Sequence, residues 1–139
     1  MVSYLLDTNV LSEPQRRSPD RRVVAWLERL VASNAEVYLS VLVVGEIRKG
    51  IELLRRREPR RAELLEAWHA GLLGAYADRI LPVTLDVAAE WGRIAGAGQV
   101  SPVDGLIAAT AKVHRLTLAT RNVADFERTG VRVVNPFDG

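Results

Sequence analysis

Cysteine is absent from this sequence. That excludes disulfides and any thiolate zinc site, and it suits the cytosol. Histidine occurs only at His69 and His114. Both fall on predicted helices, far in sequence from the acidic residues discussed below, and are expected as surface or packing residues. The N-terminus lacks a basic leader followed by an apolar core, so no signal peptide is expected. The longest apolar stretch, YLSVLVVGEI, is too short to span a bilayer and contains Glu46. No repeat, low-complexity tract or interdomain linker is visible. What remains is a composition of 48% hydrophobic and 26% charged residues, that of an ordinary globular protein. A chain of 139 residues is expected to form one domain, 1–139, with a full core.

Positive charge is modest in sum but clustered. The net charge is +2, yet the isoelectric point is about 9.4. Arginines gather in QRRSPDRR (Arg16, Arg17, Arg21, Arg22) and in RRREPRR (Arg55, Arg56, Arg57, Arg60, Arg61). Such clusters either bind phosphates or form solvated helix faces and cation-complemented helix C-termini.

Apolar periodicity gives the order of elements. Val2 to Leu6 is a first strand, RRVVAWLERLVA a helix, and Glu36 to Leu39 a second strand. Ser40 is placed to cap the helix VLVVGEIRKGIELLRRR. Pro59 separates it from the helix RRAELLEAWHAGLLGAYA. ILPVT is a third strand, LDVAAEWGRIAGAG a helix ending in glycines, and Ser101-Pro102 opens the helix VDGLIAATAKVH. LTLAT is a fourth strand, NVADFERTG a short helix, and VRVV a fifth strand. This alternation predicts an α/β fold with a mostly parallel sheet. Ligands of such sheets bind beyond the carboxyl ends of the strands. Asp7 lies just past strand one, and Asp125 just past strand four.

Four acids stand out: Asp7, Glu46, Asp104 and Asp125. Three have a structural explanation ready. Asp7 can cap a helix beginning near Thr8, Ser101-Pro-Val-Asp104 fits a capping box, and Asn122-Val-Ala-Asp125 fits a looser one. Glu46 lies too deep in its helix to cap. At about 100° per residue, it falls within the broad arc of Leu42, Val43, Ile47, Ile51 and Leu54, while Arg48, Lys49 and Glu52 point away. A carboxylate on a buried face needs a core arginine or a metal ion. Gly50, one turn on, would allow a close neighbour there. If the acids meet, each pair about 5 Å apart repels by about 3 kcal/mol at an effective dielectric near 20. Such a cluster takes up protons or cations. Oxygen ligands without histidine or cysteine favour Mg²⁺ or Mn²⁺ over zinc.

The blocks LLDTNVLSE, SVLVVGEIRKGI, SPVDGLIAATA, LTLATRNVADF and VRVVNPF, in that order, resemble the PIN-domain family, in particular its VapC- and FitB-type toxin ribonucleases. The likeness runs from Val2 to Phe137. It implies a PIN-like three-layer sandwich, with a central five-stranded parallel sheet of order 3-2-1-4-5 flanked by helices. It implies that Asp7, Glu46, Asp104 and Asp125 form a catalytic metal site for Mg²⁺, with Mn²⁺ able to substitute. Asn9 matches an asparagine supporting the first aspartate. Thr120 matches a hydroxyl residue near the metal, with Arg121 and Asn122 completing its TRN segment, and Thr8 falls just behind the ligands. The stretch Arg55 to Ala77 carries no diagnostic motif.

The activity so implied is metal-dependent hydrolysis of an RNA phosphodiester, leaving 5′-phosphate and 3′-hydroxyl ends. A small VapB- or FitA-like antitoxin is the implied partner, in a cytoplasmic protein that forms a homodimer and has no membrane association. The alternative is a PIN domain of RNA processing, or a non-catalytic binding module. Two other folds place an aspartate after strand one. Haloacid-dehalogenase phosphatases require a second aspartate where this chain has Asn9. Response-regulator receivers require a lysine after the last strand, where this chain reads NPFDG.

Overall fold

The computed structural model describes residues 2–138. Five parallel strands form one sheet in the order β3-β2-β1-β4-β5. They are β1 (Ser3–Leu6), β2 (Glu36–Ser40), β3 (Ile80–Leu81), β4 (Thr117–Ala119) and β5 (Val133–Val134). Among the described residues, seven α-helices flank the sheet: α1 (Thr8–Leu11), α2 (Arg21–Ala32), α3 (Val41–Arg55), α4 (Pro59–Ala75), α5 (Leu85–Ala97), α6 (Pro102–Val113) and α7 (Val123–Phe126). The expected fold class and strand order are those observed.

Strand lengths differ from expectation at the sheet edges. ILPVT contributes only Ile80–Leu81, and VRVV only Val133–Val134. Pro82 lacks the N–H a ladder needs, so the third strand stops before it. The central strand β1 is built from side chains that can be fully covered: Leu5 and Leu6 are buried beside Leu39 of β2 and Leu118 of β4. Such continuous apolar burial belongs to a parallel sheet covered on both faces.

Helix starts follow their caps. Asp7, Asp20, Ser40, Thr84 and Ser101 each accept a backbone N–H from the first turn of the helix they precede. The looser capping box at Asn122 does not form: its side chain caps nothing, and α7 begins without it.

From β1 the chain turns first toward β2 and later crosses to β4 on the other side. The carboxyl ends of β1 and β4 therefore mark the point where strand order reverses, the crevice in which open α/β sheets bind ligands. Leu6 pairs with Ala119, so Asp7 and Thr120 emerge together at that crevice.

Candidate functional site at the switch between two strands

The register of β1 and β4 builds the first half of the site. The Asp7 N–H donates to the Ala119 carbonyl at 2.9 Å, which fixes the aspartate at the strand end. The Thr120 hydroxyl, 0% exposed, donates to Asp7 Oδ2 at 2.8 Å and accepts the Asn122 N–H at 3.1 Å. Asn9 bridges the two segments. Its Nδ2 lies 3.4 Å from Asp7 Oδ2 and 3.5 Å from Thr120 Oγ1, and its Oδ1 accepts the Arg121 N–H at 3.0 Å. The TRN segment is thus wired to Asp7 through one hydroxyl and one amide. The Arg121 guanidinium lies over the Phe137 ring, 4.7 Å from its centroid, a cation–π contact.

Asp7 is 6% exposed and also accepts the Thr8 N–H at 2.8 Å. Burial pushes its carboxyl above the usual aspartate range. The hydrogen bonds from Thr120 and Thr8 pull it back, and the carboxylates of Glu46 and Asp104 push it up again. Asp7 therefore caps α1 and stands at the centre of the acids at once.

Glu46 is exposed, contrary to expectation. The buried stripe of α3 is Val43, Ile47 and Ile51, which centres on Ile47. Glu46 is about 100° from that centre, on the shoulder of the helix and not in its core-facing arc. The wider arc read from the sequence included Leu42, which is only half-buried. No core arginine meets Glu46. Its carboxylate accepts the Thr8 hydroxyl at 2.7 Å, one residue from Asp7. Nothing lies close to Gly50 either; a side chain there would enter open space.

Asp104 is half-buried in the first turn of α6, where its own N–H donates to Ser101 Oγ at 3.3 Å. Its neighbour Gly105 is held by packing. A Cβ at that position would lie 2.9 Å from Trp91 Cδ1 and 3.3 Å from Val100 Cγ1. That close approach seats α6 against α5 and sets where Asp104 begins. Asp125 is exposed on α7. It shares with Asp104 the lining of a cleft of about 320 Å³, completed by Gln99, Ser101, Glu127 and Arg128.

The structure thus strings the acids along the switch point. Asp7 is linked to Glu46 through Thr8, Asp104 lies within electrostatic reach of Asp7, and Asp125 shares the lining of one cleft with Asp104. Among the described residues, no three acids or histidines converge tightly enough to enclose an ion by themselves. None of the four acids has an ion-pair partner among those residues either. The histidines stand apart: His69 is buried, its Nε2 3.1 Å from the Val44 carbonyl, and His114 is exposed.

One lining escaped the sequence reading. A groove of about 420 Å³ runs from Thr8 and Glu46 between α3 and α4, with Leu54, Leu65 and Trp68 along it and Arg16, Arg57 and Arg61 at its edge. The spacing of Arg61, Leu65 and Trp68 by four and three residues puts them on one helix face, and that was the signal available.

A parallel sheet of this order, with carboxylates gathered at its switch point, defines a class. A PIN-domain family model matches residues 4–131, and the chain belongs to the PIN-domain family. Within it the chain is similar to Toxin FitB from Neisseria gonorrhoeae, with 43% identity over 138 residues, covering 96% of this chain and 97% of that protein. It is also similar to VapC ribonuclease Y4jK from Sinorhizobium fredii, with 34% identity over 139 residues, 96% of this chain and 97% of that one. The crystal structure of FitAcB from Neisseria gonorrhoeae matches with a TM-score of 0.87 at 42% identity, covering 96% of this chain and 98% of that chain. No helix among the described residues is long and apolar enough to cross a membrane.

Proposed function

We propose that this chain is a divalent-metal-dependent endoribonuclease and the toxin of a type II toxin–antitoxin pair. The observation that carries the reading is a buried Asp7 at the switch point, without an ion-pair partner among the described residues and with Glu46 and Asp104 within electrostatic reach. Carboxylates so placed, without a cation of the protein, fit a hard divalent ion. The all-oxygen donor set suits Mg²⁺, with Mn²⁺ able to replace it. The open spacing of the acids suits an ion that keeps several waters and takes one or two carboxylates directly. Asp7 and Asp104 would hold it, with Glu46 and Asp125 holding its waters or a second ion. Bound there, such an ion supplies charge to a phosphate and lowers the pKa of water.

The protein's own groups keep that arrangement in place. The Thr120 hydroxyl and the Thr8 N–H favour the ionised form of Asp7 against its burial. Asn9 ties Asp7 to the TRN segment, and the Thr8 hydroxyl fixes Glu46 beside it. In the proposed reaction, water attacks phosphorus in line with the 3′ oxygen. The P–O3′ bond breaks, the 3′ oxygen leaves as a hydroxyl, and the phosphate stays on the 5′ end of the downstream fragment. No ribose 2′-hydroxyl takes part.

The test is incubation of purified protein with total RNA in Mg²⁺, in Mn²⁺ and in chelator, followed by mapping of the ends. Cleavage is expected with either ion, is expected to stop in chelator, and is expected to leave 5′-phosphates. Cleavage that persists in chelator, or that leaves 2′,3′-cyclic phosphates, overturns the mechanism.

A small VapB- or FitA-like antitoxin is the proposed partner of a homodimeric toxin, supported by the likeness to a protein named Toxin FitB. Expression of the native operon should yield a complex of the two chains. A companion-free monomer would remove this part of the reading.

A further inference from the structure

We propose that the groove between α3 and α4 is the seat of the RNA strand on one side of the bond cut, with Arg57 and Arg61 gripping its phosphates. The proposal rests on the nuclease reading and adds where the strand runs and what holds it.

The RRREPRR cluster is not one surface. Arg48 and Arg55 form ion pairs with Glu52 and Glu66, and Arg17 pairs with Glu58. Those guanidiniums are already answered by carboxylates. Arg57 and Arg61 have no ion pair among the described residues, and both line the groove. Arg61 is half-buried and donates to the Gln15 carbonyl at 2.9 Å, which holds it in position. Two fixed or free guanidiniums over an apolar floor match a polyanion carrying flat bases. Phosphates take the charged edge, and bases take the floor of Leu54, Leu65 and the half-buried Trp68.

The position of the groove favours RNA over an acidic peptide. Its inner end is Glu46 and Thr8, the second of which adjoins Asp7. From Glu46 to the end of α3 at Arg55 the helical rise is about 14 Å, and Arg57 lies in the turn beyond it, room for a few unpaired nucleotides extending from the acids to the arginines. The other cavity beside the acids sets Asp104, Asp125 and Glu127 against a single Arg128, and its charge turns a phosphate chain away. A strand passing the acids therefore has one side that attracts it.

The test measures binding of a short, labelled, unstructured RNA to Asp104→Asn protein, so that binding is read without cleavage. Arg57→Gln is compared with Arg56→Gln, the same charge change one residue away, exposed and outside the groove. Arg57→Gln is expected to weaken binding by about 5-fold or more and to reduce the slope of log K against log salt by about 0.7. Arg56→Gln is expected to stay within about 2-fold. Equal effects of the two substitutions, or none from Arg57→Gln, overturn the groove. So does intact RNA binding by Arg57→Gln together with lost capture of an aspartate-rich apolar peptide, which would assign the groove to a protein ligand. Failure of the wild-type protein to cleave RNA, with binding still dependent on Arg57, supports the groove and sinks only the nuclease reading.

Discussion

Two cavities flank the acids, and they are opposite in kind. The groove between α3 and α4 has an apolar floor and, beside the ion-paired Arg16, two arginines, Arg57 and Arg61, without a carboxylate partner among the described residues. The cleft between the start of α6 and α7 holds Asp104, Asp125 and Glu127 with Arg128 alone among them. A site that handles a polyanion through carboxylates faces a contradiction, because the groups that attract a divalent ion repel the phosphate. Under the proposed function, the difference between the two cavities would separate the tasks within one small domain: one side is charged to hold a strand, the other to hold a cation. Asp7 lies between them in the sense that Thr8 of the first follows it in sequence and Asp104 of the second acts on its carboxyl.

The largest effect expected from breaking that division is on cleavage. Asp7→Asn or Asp104→Asn should lower the rate of RNA hydrolysis by on the order of 100-fold or more, since each removes charge that an ion of this kind needs. Both variants should remain folded, as read by circular dichroism. A folded Asp104→Asn protein that still cuts RNA at the wild-type rate would falsify the division outright. A smaller loss is expected from the scaffold under the acid side. Gly105→Ala places a Cβ 2.9 Å from Trp91. Overpacking of that sort costs about 1–3 kcal/mol, seen as a lower melting temperature. If the indole simply rotates aside, the melt will be unchanged, and Gly105 is not what seats Asp104.

These expectations lean on features that differed in how readable they were. The sheet order came from the family likeness, and the parallel α/β class from alternating apolar runs. Both hold because the central strands put Leu5, Leu6, Leu39 and Leu118 into the core, as their apolar runs require. The prominence of Asp7 and Asp104 was legible, because each follows a strand end or a helix cap. The setting of Glu46 was misread. A helical wheel gives direction but not where the core stops, and the half-buried Leu42 widened the arc. The groove was not read at all. Its lining joins residues from Thr8 to Trp68 on separate elements, and only the packing of α1 and α4 against α3 brings them together. The division of the arginine cluster was hidden for the same reason, since Glu66, which neutralises Arg48 and Arg55, comes from α4.

The acid side should also be visible in stability against pH. The Asp7 carboxyl is raised above its ordinary value of 3.8 by burial first and by Glu46 and Asp104 after it. A carboxyl raised on folding favours the folded state while protonated. That contribution is complete below the ordinary value and is lost as pH rises through the raised one. In chelator, Asp7→Asn should therefore melt higher than wild type at about pH 7.5, and the gap should close toward about pH 3.5. A gap constant across that range would mean that the amide acts through its hydrogen bonds to Thr120 and Thr8, with no charge relieved.

The smallest expected effect bears most directly on which cavity the strand uses. Arg128 is exposed, and it is the one arginine lining the acid cleft. Its charge is surrounded by Asp104, Asp125 and Glu127, so a phosphate approaching it meets net repulsion at close range. With a screening length of about 8 Å at physiological salt, the arginines of the far groove contribute little there. Arg128→Gln should then change RNA affinity by less than about 2-fold and leave the salt slope as it was, whereas Arg57→Gln lowers both. A loss at Arg128 equal to that at Arg57 would put the strand through both cavities. The negative cleft would then need its cation in place before RNA could bind, and the affinity of the Arg128→Gln protein would depend on Mg²⁺ more steeply than that of the Arg57→Gln protein.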